Sequence, residues 1–220
     1  GSSRRIAETI SDLIEKKEGV LAVNAPVSRI KIENGSAVGV IMENGDEIEA
    51  ETVISNAGVV NTIEKLLDDE NSDTRIKENL QKINQTESYV CLYIGLNKSA
   101  KDLDLSNTNL WIYPGYDHDQ NVKSYIENQA TDFPVVYVSF PSAKDKAWNE
   151  NHLGYATMEA ITFSSCGWYS NWQELPWKKR GQEYEKEKQK LSNRILDIVT
   201  KHVPNIQTAI DYKELSTPLT

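Results

Sequence analysis

Apolar residues recur at helical spacing near the start of the chain, at Ile6, Ile10, Leu13 and Ile14. That spacing predicts an amphipathic helix, capped by Ser2 or Ser3 and stopped at Gly19 just after Lys16 and Lys17. The period then shortens to two. Residues 20–23 read as a short strand, 27–33 and 37–43 as two longer ones, and 47–54 as a return strand ending in the buried run Thr52-Val53-Ile54. Asn34-Gly35 and Asn44-Gly45 separate the last three. Asn-Gly accepts the left-handed backbone of a tight hairpin at little steric cost, so the segment predicts a three-stranded antiparallel meander.

From Val59 the period lengthens again. Ile63, Leu66 and Leu67, then Ile76, Leu80 and Ile83, predict two short helices separated by an acidic polar loop over 68–73. Four strand candidates follow, at 88–96, 109–113, 135–140 and 156–163, and together they predict a second, larger sheet of mixed direction. An aromatic-rich stretch occupies 167–177. A long charged helix runs from Gly181 to about His202, with Ile195, Leu196 and Val199 on its apolar face and Pro204 ending it. The expected class is α+β.

With 220 residues, 39% of them hydrophobic and 26% charged, the chain has the composition of a globular protein able to bury a real core. A net charge of −9 opposes a nucleic-acid partner unless basic residues cluster. The one tight cluster, Lys178-Lys179-Arg180, is offset by Glu183, Glu185 and Glu187, and it reads as a solvated helix entrance. Cys91 and Cys166 stand far apart, and no Cys or His spacing fits a metal, so no metal is expected. No apolar run approaches the roughly 18 residues of a spanning helix. The opening Gly1-Ser2-Ser3-Arg4-Arg5 leads into a helix carrying Glu8, Asp12 and Glu15, which is no signal peptide. The chain does not begin with Met, and the expectation is a piece of a longer protein.

Several motifs carry a family likeness. Val27-Ser28-Arg29-Ile30, the two Asn-Gly turns, Gly39-Val40 and the run from Ala50 to Gly58 resemble one region of the FAD-dependent amine oxidase and phytoene desaturase superfamily. Trp111-Ile112-Tyr113-Pro114, Tyr116-Asp117-His118-Asp119, the run from Ser139 to Asp145, that from Trp177 to Gly181, and that from Glu214 to Thr220 narrow the resemblance to its carotenoid isomerase and retinol saturase branch. The resemblance implies residues 1–58 as part of an FAD-binding domain and 59–220 as a substrate-binding domain. It implies an oxidoreductase, a flavoprotein that desaturates, saturates or isomerises a hydrophobic polyene of carotenoid or retinoid type. The GxGxxG turn that holds the FAD pyrophosphate in such enzymes does not occur in this sequence, so the isolated chain is expected to be inactive and not to retain FAD.

A flavin performs the hydride chemistry itself, so a missing nucleophile or acid–base pair does not count against this reading. The resemblance places Val27 at a backbone contact with the adenine side of FAD, and Ser55, Asn56, Ala57 and Gly58 at a small-residue turn close to the cofactor; a plain strand and an ordinary turn account for them as well. Trp111, Tyr113, Trp168, Tyr169 and Trp172 are the candidate walls of a polyene slot, and core packing is the competing account. Trp168, Tyr169 and Trp172, with Leu175, also suit a peripheral membrane contact by a cytoplasmic protein. His118, His152 and His202 are isolated, and the Asp117-His118-Asp119 group reads as a polar loop. Two other functions stay open, a non-catalytic domain that binds a hydrophobic ligand or partner, and a flavin amine oxidase. If the first 58 residues are half of a domain, their apolar faces predict self-association through residues 20–54.

Overall fold

A computed structural model of the chain describes residues 3–68, 74–82 and 87–220. Most of the predicted acidic loop (69–73), the Ser2 cap and Ile83 lie outside the described residues. The chain divides into two compact units, one spanning 5–85 and the other built on 86–220. The break between them falls after the short helices, whereas the family resemblance sets a domain boundary at 58.

The first unit opens with α1 (Ser3–Lys16). Its stop differs in detail from the expectation, because Glu18 and not Gly19 takes the left-handed conformation (φ 61). Gly19 donates its N–H back to the Ile14 carbonyl at 2.9 Å, and a Cβ there would lie 2.8 Å from the Ile14 side chain. The glycine is required for space, not for a positive φ. The meander forms as expected from β1 (Val27–Glu33), β2 (Ser36–Met42) and β3 (Glu47–Glu49), in that order and antiparallel. Asn34 (φ 50) and Gly35 (φ 76) make the first turn left-handed at both centres, the conformation for which Asn-Gly is selected.

One predicted strand of this unit is absent and another is cut short after β3. Residues 20–23 form none: left-handed Glu18 and Asn24 (φ 54) bound the segment, and no neighbouring strand offers it a ladder. Thr52-Val53-Ile54 is neither strand nor buried, and Ile54 is 90% exposed. The register explains this. Gly39 faces Glu49, so residue 52 would face the first residue of β2 and residue 54 would face the Asn34 turn. The return strand runs out of partner. After Gly58 come α2 (Val59–Asn61), continued by a wider helical turn over Thr62–Leu66, and α3 (Thr74–Lys82), as the spacing predicts.

The second unit is built on a five-stranded sheet, with α7 (Gly181–His202) packed on its core face. Its strands are β4 (Ser88–Leu96), β5 (Leu110–Ile112), β6 (Val136–Ser139), β7 (Ala156–Ser164) and β8 (Ile210–Ser216), in the order β5-β6-β7-β4-β8. Every pairing is antiparallel, so the expectation of a mixed sheet is corrected while the α+β class holds. β7 and β8 do run in the same direction, joined through α7, but β4 lies between them and pairs with both. α4 (His118–Glu127), α5 (Pro141–Lys144) and α6 (Trp148–Asn151) are further helices of this unit.

One sheet face carries the core. Val90, Leu92, Ile94 and Leu96 of β4, Val136 and Val138 of β6, and Met158 and Ala160 of β7 are almost fully buried, together with Tyr184, Ile195 and Val199 of α7. Each large side chain there contributes roughly 1.5–3 kcal/mol by leaving water. The first unit contrasts sharply. Among its described residues Ile30 is the buried hydrophobic one, while Ile6, Ile10 and Leu13 of α1 and Ile48 of β3 are each more than half exposed.

Candidate functional site

Residues directly opposed in an antiparallel sheet share a face, so the register defines what the uncovered side of the larger sheet presents. Trp111 faces Tyr137, Tyr137 faces Ile161, Ile161 faces Cys91 and Cys91 faces Ser216. This row crosses all five strands and spans about 19 Å at ordinary strand spacing. It is apolar except at its last member. Two residues further along the strands on one side lies the ring pair Tyr89 and Phe163, with centroids 5.4 Å apart. Two residues away on the other side lies a polar row of Ser139, Glu159, Tyr93 and Glu214. The Trp111 and Tyr137 rings are 4.7 Å apart. Trp111 is 61% exposed, Tyr89 56% and Tyr93 44%, and Ile161, Cys91, Phe163 and Tyr137 are half-buried.

The thiol of this face is held in its neutral form. Burial pushes the Cys91 thiol up to about 11, an effect partly offset by the Tyr93 hydroxyl and reinforced by the Glu159 carboxylate. At neutral pH the thiol is therefore a small apolar surface, not a nucleophile. The Tyr93 phenol is raised as well, first through its interaction with Cys91. Among the described residues no group of three His, Cys, Asp or Glu side chains is placed to hold a metal ion, and no helix is long and apolar enough to cross a membrane.

The five aromatic candidates separate. Trp111 lies on the open face, and Tyr113, just past β5, lies with its ring tilted 4.4 Å from that of His118. Trp168, Tyr169 and Trp172 belong to a 3-10 turn (Cys166–Trp172) beside α7. Tyr169 is 3% exposed and accepts a hydrogen bond from Ser164 Oγ at 3.2 Å, and burial raises its phenol. Trp168 meets Tyr125 edge-on at 5.5 Å and Trp172 lies 5.6 Å from Tyr184. With Leu191, Lys190 and Arg194 they line a groove of about 390 Å³. Tyr169 is thus core, and it is no membrane-facing ring. The Asp117-His118-Asp119 group is a helix start, not a loop: Asp117 caps α4 by accepting from the Gln120 N–H at 3.0 Å.

The cofactor candidates lie in the first unit. Val27 opens β1 opposite Met42. Ser55, Asn56, Ala57 and Gly58 form an exposed turn, held by the Ser55 and Thr62 hydroxyls at 2.7 Å and by Asn61 Nδ2 donating to the Ala57 carbonyl at 2.9 Å. Sequence reasoning missed Tyr89, Cys91, Tyr93, Tyr137, Glu159, Ile161 and Phe163. The signal was present in β4 and β7, where apolar and aromatic residues occupy both alternating phases, so both faces of the sheet are marked for contact.

No protein-family model matches the chain. Its sequence is 33% identical to an all-trans-retinol 13,14-reductase of Danio rerio over all of the chain and 38% of that protein. It is 27% identical to a chloroplastic prolycopene isomerase of Daucus carota over 98% of the chain and 32% of the relative. The chain therefore spans less than two fifths of the length of these relatives. A crystal structure of a Pyrococcus furiosus protein shares the fold, with a TM-score of 0.58 and 17% identity over 97% of the chain and 43% of that protein.

Proposed function

Because this chain belongs to the family that includes the all-trans-retinol 13,14-reductases and prolycopene isomerases, we propose that it forms the substrate-side part of an FAD-dependent oxidoreductase whose polyene substrate lies on the open face of the larger sheet. The carrying observation is the apolar row of Trp111, Tyr137, Ile161 and Cys91. A flat conjugated chain packs its faces against such rings and gains by displacing water from them. The exposed apolar residues of α1 and the meander support the same reading, since one buried hydrophobic residue is too little core for a unit of that size to stand by itself. They suit coverage by the remainder of a dinucleotide domain, and the expected self-association through residues 20–54 would use the same exposure.

FAD, when bound, supplies the hydride chemistry. In this chain the exposed Ser55–Gly58 turn, with small side chains and a left-handed Gly58 (φ 88) that a Cβ would leave uncrowded, lets backbone approach a cofactor, and the Val27 backbone is the second contact the reading assigns. The pyrophosphate cradle is not encoded here, so the chain purified alone is expected to be colourless.

The test is titration of the chain with all-trans-retinol, followed by quenching of tryptophan fluorescence. Ile161→Asp places a charge in the middle of the row and is expected to weaken binding at least tenfold, about 1.4 kcal/mol. Trp172→Ala, in the groove beside α7, is expected to leave it unchanged. The opposite pattern would move the ligand to that groove and overturn the assignment.

A further inference from the structure

The open face of the larger sheet is graded along β7. It begins at the Phe163 and Tyr89 rings, passes Ile161 and Cys91, and ends at Glu159 beside Tyr93, over about 13 Å at the rise of an extended strand. An apolar ligand would fit its first two thirds. Its far end is a carboxylate.

The neighbouring groups of that end have partners of their own, and the Tyr93 hydroxyl interacts with the Cys91 thiol. Lys144 Nζ donates to Asn109 Oδ1 and, at 3.0 Å, to Ser139 Oγ. The Tyr212 hydroxyl donates to Glu214 at 2.5 Å. Glu159 is half-buried, and among the described residues its carboxylate has neither a hydrogen bond nor an ion pair. A carboxylate with no protein donor keeps its oxygens available to accept one from a ligand.

We propose that Glu159 determines specificity by accepting a hydrogen bond from the terminal hydroxyl of a polyene alcohol whose chain lies over Ile161 and Phe163. The assignment rests on the polyene reading above and adds to it the residue that reads the polar end of the ligand. An amine at this end is opposed by Lys144, which already places an ammonium beside Ser139, the neighbour of Glu159 across the β6–β7 pair.

The experiment titrates the 220-residue chain with all-trans-retinol, its methyl ether and the corresponding primary amine, using tryptophan fluorescence, in the wild type, Glu159→Gln and Glu159→Ala. The wild type is expected to bind the alcohol about tenfold more tightly than the ether. Glu159→Ala should abolish that preference while leaving ether affinity unchanged, which also shows that the variant is folded. Glu159→Gln, which keeps a carbonyl acceptor, should retain part of the preference. Equal affinity of the wild type for alcohol and ether, or a preference that survives Glu159→Ala, overturns the proposal and leaves the polyene reading standing. Tighter binding of the amine than of the alcohol also overturns it. Failure of the wild type to bind any of the three overturns the polyene reading itself, and this proposal with it.

Discussion

Arg194 of α7 closes the loop before β6, and its removal tests how that side of the unit is held. Its guanidinium donates from Nη1 to the Gln129 carbonyl and from Nη2 to the Thr131 carbonyl, both at 2.6 Å, and lies 4.4 Å from the Phe133 ring. Arg194→Met keeps the aliphatic stem and deletes the fork. A charge-assisted bond to a carbonyl contributes about 1–2 kcal/mol when part-exposed, and the ring contact about 0.5–1. The expected loss is about 2.5–5 kcal/mol, equivalent to a fall of roughly 5–20 °C in Tm for a chain of this size. Arg194→Lys retains the charge and one donor direction but not the fork, and should lose about half as much. Urea unfolding followed by circular dichroism and by tryptophan fluorescence measures both variants, with Trp168 and Trp172 reporting from the adjoining groove. A Met variant within about 0.5 kcal/mol of wild type, or full stability in the Lys variant, would falsify the bidentate clamp.

Gly39→Ala should break the β2–β3 pairing, because its Cβ would lie 2.2 Å from the Ile48 carbonyl oxygen; the Ala50 amide, bonded to the Val38 carbonyl at 2.9 Å, should lose hydrogen-exchange protection, and undiminished protection would refute the clash. For Cys91, a folded pKa of about 11 lies above the unfolded value near 9, so folding favours the neutral thiol. Its contribution to stability is fully present below about pH 9 and is lost as pH rises toward 11. In a Cys166→Ser background, alkylation of the folded chain should be slower than that of the urea-unfolded chain at pH 9 and approach it near pH 11, and equal rates at pH 9 would contradict the burial argument.

Sequence pattern located the elements that local chemistry dictates and lost those that only tertiary context creates. The Asn-Gly turns, the stop after α1, the alternation in β4 and β7 and the apolar stripe of α7 are each readable from a few neighbouring residues. β8 was not, because at the sheet edge only Leu215 is buried and Asp211, Lys213 and Glu214 look like loop. α4 hides for a similar reason, burying just Tyr125. The site was half legible. Trp111 stands out as an exposed aromatic, whereas its partners Tyr137 and Ile161 become neighbours only once the register is known, and a list of aromatic residues cannot separate the sheet face from the cluster beside α7.

The pairing of β8 with β4 sets the order in which this unit can be completed. Cys91 of β4 meets Ser216 across a separation of about 125 residues. At translation rates of about 5–20 residues per second, one edge of β4 waits roughly 6–25 s for its neighbour to be made. During that interval the backbone donors and acceptors of β4 on that edge are open to any passing strand. A nascent chain of this protein that stalls before residue 210 therefore carries β4 as an uncapped edge strand, and such intermediates should be the form most in need of a chaperone.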